Sequence, residues 1–304
     1  MKIIVTGASG LVGSSLVPSL VGRGHEVTQL VRRKSKDAGG GVREVEWQPE
    51  RGEIDAASLE GHDAAVHLAG ENIAGGRWTD EKKRRIRDSR VLGTRLLAET
   101  LAQLNAKPRA FVSASAIGYY GERGDEILTE ASAPGAGFLP DVCREWEAAT
   151  EAASAAGIRT ALLRFGVILS ADGGALAKML LPFKLGVGGN VGSGKQYYSW
   201  IALDDVVDII HLALADDNLS GAVNVVAPEP ATNAEFTKAL GRALGRPTIF
   251  PAPAFGLRLA FGEMADALLL ASERVLPERL RAAGYEFKYP KLDGALRHVL
   301  SLSR

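Results

Sequence analysis

The sequence predicts an α/β protein: a doubly wound parallel sheet joined to a smaller, mostly helical C-terminal lobe. Three observations lead there. The apolar run "KIIVTG" breaks into "TGASGLVG", where Gly7, Gly10 and Gly13 stand three apart. Strand-like and helix-like patterns then alternate to about residue 168. Beyond residue 170 the pattern loosens, and the last sixty or so residues read as helix broken by Pro251, Pro253, Pro277 and Pro290.

Each element has its own signal. "KIIVTG" is a continuous apolar run, as a buried parallel strand requires. Ser14 to Arg23 reads as a helix closed by Gly24, and "HEVTQLVR" and "AAVHLAG" as strands. Thr79 is placed to cap a long basic helix, with Asp80 and Glu81 complementing its dipole. "RAFVSAS" is a strand, Asp141 to Ala156 a helix, and "RTALLRFG" the next strand. The Gly-rich "LGVGGNVGSGKQ" lies between a helix at Ala175 to Lys184 and "YYSWIALDDVV". Thr232 and Glu235 form a capping box for a helix to about Leu244. The boundaries expected are residues 1–168 and about 200–226 for the nucleotide-binding domain. About 169–199 and 227–304 are left for the second lobe, with no flexible tether between the two.

Composition narrows the function. The chain has 304 residues, with 36 Lys plus Arg against 36 Asp plus Glu. A net charge of zero argues against a broad nucleic-acid or anionic-membrane surface. No apolar run reaches membrane-spanning length, and the first one meets a glycine turn too early for a secretory signal. The lone Cys143 cannot close an internal disulfide, so a cytoplasmic setting is expected. The five histidines are scattered, so no metal site is expected.

Between a buried strand and a helix, the three glycines have physical work. The first permits the turn, the second lets backbone approach a pyrophosphate, and the third lets helix pack on strand. The helix N-terminus then faces the phosphates with its positive dipole end. "LVRRK" follows the second strand: Arg32, Arg33 and Lys34, with no acid until Asp37. A carboxylate there would suit the ribose hydroxyl of NAD; guanidinium suits the 2′-phosphate of NADP. NADP(H) is the expected cofactor.

With these motifs on the page, the chain resembles the extended short-chain dehydrogenase/reductase superfamily. "TGASGLVG" matches its G-x-x-G-x-x-G, "AVHLAG" its fourth-strand cofactor motif, and "SRVLGT" its N-V-x-G-T segment. "SWIALDDVV" is similar to its late H-V-D-D-V motif. "GENIAGGRW", "SASAIGYYG", "LPFKLGVGGNVGSGKQ", "NVVAPEPATNAEF" and "VLPERLRAAGY" resemble an atypical branch, the NAD-dependent epimerase/dehydratase-like proteins of the family 39U type, also called cell-division-inhibitor homologues. The resemblance implies a Rossmann fold, bound NADP(H) and a small lobe of unassigned role. It also implies a cofactor cradle of Gly7, Ser9, Gly10, Leu11, Val12, Gly13, Arg32, Arg33, Leu68, Ala69, Gly70, Glu71, Arg90, Ser113 and Val167.

The same superfamily usually works with a Tyr-x-x-x-Lys dyad, the Lys lowering the Tyr pKa from about 10. Here "LPDVC" puts Leu139 and Cys143 in those places, and neither Tyr119 nor Tyr120 has a Lys four residues on. Ser115 and Tyr119 are the candidate catalytic residues; strict spacing puts the superfamily's Ser at Ala116, so Ser115 needs a one-residue shift. Tyr119 reads equally as packing. Glu71 is a general acid–base candidate or, preferred, a ligand to Arg85 or Arg90. Cys143 reads as a nucleophile or, preferred, a buried helical thiol. Asp204 and Asp205 read as helix caps. Lys195, Tyr197 and Tyr198 are candidate contacts to an anionic substrate. Two functions remain open: an oxidoreductase or epimerase-like enzyme on an unknown small molecule, or a non-catalytic NADPH sensor or scaffold. Oligomeric state is not specified.

Overall fold

The structure is a computed structural model that describes residues 1–33 and 42–301. Lys34 and Asp37 therefore lie outside the described residues.

Fourteen strands and ten α-helices occur among those residues. In the first half, β1 (Lys2–Thr6), α1 (Gly13–Gly22), β2 (Glu26–Val31), β3 (Val42–Gln48), β4 (Glu53–Ile54) and β5 (Ala64–His67) lead to α2 (Asp80–Gln103). Next come β6 (Ala110–Ala116), β7 (Ile127–Leu128), α3 (Phe138–Ala148), α4 (Glu151–Ala155) and β8 (Arg159–Phe165). The second half holds β9 (Val167–Leu169), α5 (Gly174–Lys184), β10 (Tyr197–Tyr198), β11 (Trp200–Ala202), α6 (Leu203–Ala215), β12 (Gly221–Val225), β13 (Ala231–Thr232) and α7 (Asn233–Leu244). It closes with α8 (Ala254–Phe261), β14 (Arg274–Val275), α9 (Glu278–Ala282) and α10 (Leu292–Ser301).

The central sheet runs β12-β8-β6-β5-β1-β2-β3-β4, parallel throughout except for the antiparallel β3–β4 edge. Its order reverses between β1 and β5, the place where such sheets open a crevice for a ligand. The inner strands are buried on both faces, which is why they read as unbroken apolar runs. α1 and α6 share one core with β1, β5, β6, β8 and β12. α2 and α4 cover the other side with Trp47, Leu97, Leu101 and Phe111. A further core joins α5, α7, α10 and β11 around Trp200 and Phe236. No described helix is long and apolar enough to cross a membrane.

Some expectations need correction. The helix expected over Asp141 to Ala156 starts earlier and breaks at Ala149–Thr150 into α3 and α4. β3 was not anticipated, because its sequence "VREVEWQ" alternates along a half-exposed strand near the sheet edge. The final stretch is not helical alone: β14 pairs in parallel with β7. Asp204 and Asp205 do not cap α6. Asp205 is wholly buried and instead accepts hydrogen bonds from the Tyr285 hydroxyl at 2.9 Å and the Lys288 N–H at 2.8 Å. Asp204 faces His298 at 3.2 Å.

Candidate functional site

The crevice is built at the turn after β1. Gly7 has φ +68°, and a Cβ there would stand 2.6 Å from the Leu68 carbonyl carbon. At Gly13 a Cβ would fall 2.3 Å from the Gly7 oxygen, so only glycine lets α1 approach β1 so closely. Gly10 is looser, with a Cβ at 3.2 Å from the same oxygen, and its N–H closes the turn on it at 3.0 Å. Ser9 and Gly10 are exposed, while Leu11 and Val12 are half-buried. No side chain caps α1, and while the Ser14 N–H is spent on the Gly10 carbonyl at 2.9 Å, no hydrogen bond takes the N–H groups of Leu11, Val12 and Gly13 among the described residues.

Across the ledge, Thr6 stitches β1 to β5. Its Oγ1 accepts the N–H groups of Leu68 and Ala69 at 3.1 and 3.2 Å and bonds His67 Nδ1 at 2.8 Å. His67 is wholly buried, and burial pushes its pKa down to about 4. Gly70 is exposed beside the Arg90 guanidinium. Arg90 donates to the Glu71 carbonyl at 3.1 Å and lies over the Trp146 ring at 5.1 Å, so it fixes the backbone of this edge. The Glu71 carboxylate pairs with neither Arg85 nor Arg90. It meets Lys82 at 2.6 Å, and that hydrogen bond holds its pKa down, helped by the charges of Arg85 and Arg32. Lys82 was missed in the sequence because it sits among five basic residues of "KKRRIR", where only the folded helix shows which one turns inward.

Arg32 and Arg33 stand exposed just past β2. Among the described residues no hydrogen bond or ion pair engages either guanidinium, although Gln48 Nε2 donates to the Arg32 carbonyl at 3.0 Å. On α2, Arg84 pairs with Glu81, Arg87 with Glu145 and Lys83 with Glu263.

On the other side of the switch point lies a polar network that the sequence did not disclose. Ser115 is buried and donates to Glu147 Oε1 at 2.6 Å. Glu147 grips Arg164 with both oxygens, at 2.7 and 2.8 Å. Arg164 donates to the Tyr120 hydroxyl at 2.9 Å, which donates to Asn224 Oδ1 at 2.7 Å. The guanidinium also lies 3.5 Å from the centre of the half-exposed Tyr119 ring. Burial opposes the charge on Arg164, but Glu147 outweighs it and raises the pKa further. The available signal was a Glu one turn beyond Cys143 on the buried face of α3, and an Arg inside the apolar run of β8.

Leu139 packs against Gly118, 3.5 Å from where its Cβ would be. Cys143 is 3% exposed, and burial, with Glu147 adding, pushes its thiol up to about 12. It is therefore a thiol, not a thiolate, at neutral pH. Ser113 is buried within β6, its hydroxyl directed to the Ala114 carbonyl at 3.3 Å. Val167 begins β9, its N–H held by the Ser199 carbonyl at 2.8 Å. Tyr198 spends its hydroxyl on the Leu269 carbonyl at 3.2 Å, and Tyr197 lies under Arg274, while Lys195 stays exposed. The segment from Ile73 to Trp78 folds back on itself, Trp78 Nε1 donating to the Ile73 carbonyl at 2.8 Å. Lys178 donates to the Ala74 carbonyl at 2.6 Å, and Trp78 meets Phe138 edge-to-face at 5.1 Å.

A parallel sheet with this order, a three-glycine turn at its switch point and cations past β2 define a Rossmann-type nucleotide-binding protein. Comparison with known proteins agrees. A model described as the NAD dependent epimerase/dehydratase family matches residues 3–226, and a domain of unknown function (DUF1731) matches residues 252–299. The epimerase family protein Mb2239 of Mycobacterium bovis is 43% identical over 297 residues, 98% of this chain and 97% of that one. The crystal structure of human epimerase family protein SDR39U1 with NADPH superposes with a TM-score of 0.88 at 35% identity, covering 99% of each chain. A nucleoside-diphosphate sugar epimerase from Corynebacterium glutamicum gives a TM-score of 0.81 at 40% identity over 99% of this chain and 58% of that one. The chain belongs to the NAD dependent epimerase/dehydratase family.

Proposed function

We propose that the protein binds NADP(H) and carries out an oxidoreductase or epimerase-like reaction on a small molecule without a Tyr-x-x-x-Lys dyad. The observation that carries the cofactor reading is the pair of guanidiniums, Arg32 and Arg33, past β2, unengaged among the described residues and beside a helix N-terminus without a side-chain cap. These suit a 2′-phosphate and a pyrophosphate respectively. The human relative crystallised with NADPH supports the same choice. Bound there, the cofactor would supply hydride chemistry. The chain's own residues bind, orient and position. Thr6 and Arg90 hold the strand ends, residues of about 169–199 and 227–301 supply the substrate lobe, and Tyr119, its ring held against the Arg164 guanidinium, supplies the candidate hydroxyl.

Calorimetric titration tests this reading. NADPH is expected to bind the wild type more tightly than NADH. Arg32→Ala is expected to weaken NADPH roughly ten- to a hundredfold, the worth of one charge-assisted phosphate contact, and to leave NADH unchanged. Equal affinity of the wild type for the two cofactors rules it out. A second reading, a non-catalytic NADPH sensor or scaffold, is favoured by Leu139 and the protonated Cys143 in the dyad positions.

A further inference from the structure

We propose that an exposed apolar strip, formed by the end of α5, the residues after it and α8, is a docking face for an anionic lipid bilayer. The strip begins in two apolar stretches, "MLLPFKLGVGG" and "TIFPAPAFGLRLAF". Eight of the eleven large apolar side chains exposed among the described residues fall within 181–187 and 249–261. The fold sets the two stretches side by side. The Phe250 N–H donates to the Gly188 carbonyl at 3.3 Å, and the Ala252 N–H to the Asn190 carbonyl at 2.8 Å. A Cβ on Gly189 would stand 2.1 Å from the Phe250 oxygen, so only glycine lets the chains lie so close. Leu181 and Leu185, one turn apart at the end of α5, are exposed beside this pairing. Phe255 and Leu259, one turn apart on α8, are 75% and 78% exposed. α8 buries none of its eight residues, so it stands proud of the body instead of lining a groove.

Charge selects the occupant. Residues 173–192 and 241–262 hold five cations and no carboxylate, in a chain balanced at 36 against 36. Asp293 and Asp266, from outside these stretches, pair with Arg242 and Arg258. Lys178 donates to the Ala74 carbonyl at 2.6 Å and keeps its charge. Lys184, between Leu181 and Leu185, and Arg246, three residues before Ile249, are exposed. Among the described residues no hydrogen bond or ion pair engages either side chain. A protruding apolar helix beside three uncompensated cations suits a bilayer interface, where Phe and Leu reach the acyl boundary and Lys and Arg meet anionic headgroups. A second copy fits less well, since a two-fold contact would bring two such sets of cations together. The zero net charge of the chain argues against a broad basic surface and leaves room for this local one. The strip also adjoins the site. α5 reaches Ala74 through Lys178, and a Cβ on Gly262, at the end of α8, would stand 3.4 Å from Arg77 Nη2.

The test mixes the full chain with large unilamellar vesicles of phosphatidylcholine, alone or with phosphatidylglycerol added, and reads the bound fraction by co-sedimentation. Binding to the phosphatidylglycerol vesicles is expected to be about tenfold tighter or more at low salt, and to weaken as salt is raised. Phe255→Ser with Leu259→Ser is expected to lose about tenfold or more on both vesicle types. Lys184→Glu with Arg246→Glu is expected to lose the preference for phosphatidylglycerol. All four positions are exposed, so both double variants should keep the wild-type circular dichroism and urea midpoint. Should either fail to fold, the wild type on the two vesicle types decides the proposal. A wild type that stays in solution with phosphatidylglycerol vesicles overturns it, and so does equal binding to the two. A folded Phe255→Ser, Leu259→Ser variant that binds as the wild type does also overturns it. Sedimentation velocity without lipid tests the other occupant: a wild-type dimer that this variant separates assigns the strip to a second copy, and the bilayer proposal falls.

Discussion

His67 shows how a single residue beneath the glycine turn couples the fold to pH. Its folded pKa of about 4 lies below the ordinary 6.5, so the unfolded chain takes up the proton first. Stability from His67 is therefore complete above the ordinary value and is lost as pH falls from 6.5 toward 4, by at most about 3 kcal/mol. His211, also pushed down to about 4 by burial, acts in the same window. Urea titrations across that range should show the midpoint falling with pH, and His67→Gln should flatten part of the slope. The Glu147–Arg164 pair makes a different prediction. Both side chains are nearly buried, at 11% and 4% exposure, so Glu147→Ala strands a buried cation. A loss of about 3–5 kcal/mol is expected, partly recovered by adding Arg164→Met. Denaturant unfolding of the single and double variants checks it; full additivity would mean that the two side chains do not act as a pair.

At the scale of elements, the three glycines of the turn are not equivalent. Gly13→Ala places a methyl 2.3 Å from the Gly7 oxygen, so α1 must lift from β1. A loss of about 2 kcal/mol or more in unfolding free energy is expected, together with loss of NADPH binding. Gly10→Val sets its Cβ 3.2 Å from the Gly7 oxygen, a milder crowding than at Gly13, and should largely keep the fold while abolishing binding, because the new side chain also meets the ligand's pyrophosphate. Circular dichroism and NADPH fluorescence titration separate the two outcomes. β1, α1 and β5 were legible because apolar runs and a spaced glycine motif are local signals. β3 was not, since a half-exposed strand beside the edge alternates and resembles solvated loop. The break between α3 and α4 has no Pro or Gly to announce it. The Ser115–Glu147–Arg164–Tyr120 network was invisible because its members are set by the packing of β6, α3 and β8 across many residues of sequence.

Over the whole molecule, the C-terminal segment is knitted into the sheet domain. Leu280 is part of the core beneath α1 and α6, β14 pairs with β7, and Asp205 fastens residues 285 to 289. The protein is accordingly expected to unfold in one transition, with far-ultraviolet dichroism and tryptophan fluorescence coincident. NADPH at a hundred times its Kd should stabilise that single transition by about 2.7 kcal/mol. Two separate transitions would show that the lobes stand independently. The β7–β14 pairing also orders events during biosynthesis. β14 follows every strand of the central sheet along the chain, so it cannot pair with β7 until all of them have been made. A nascent chain thus carries its glycine turn and its whole central sheet before that last pairing can close.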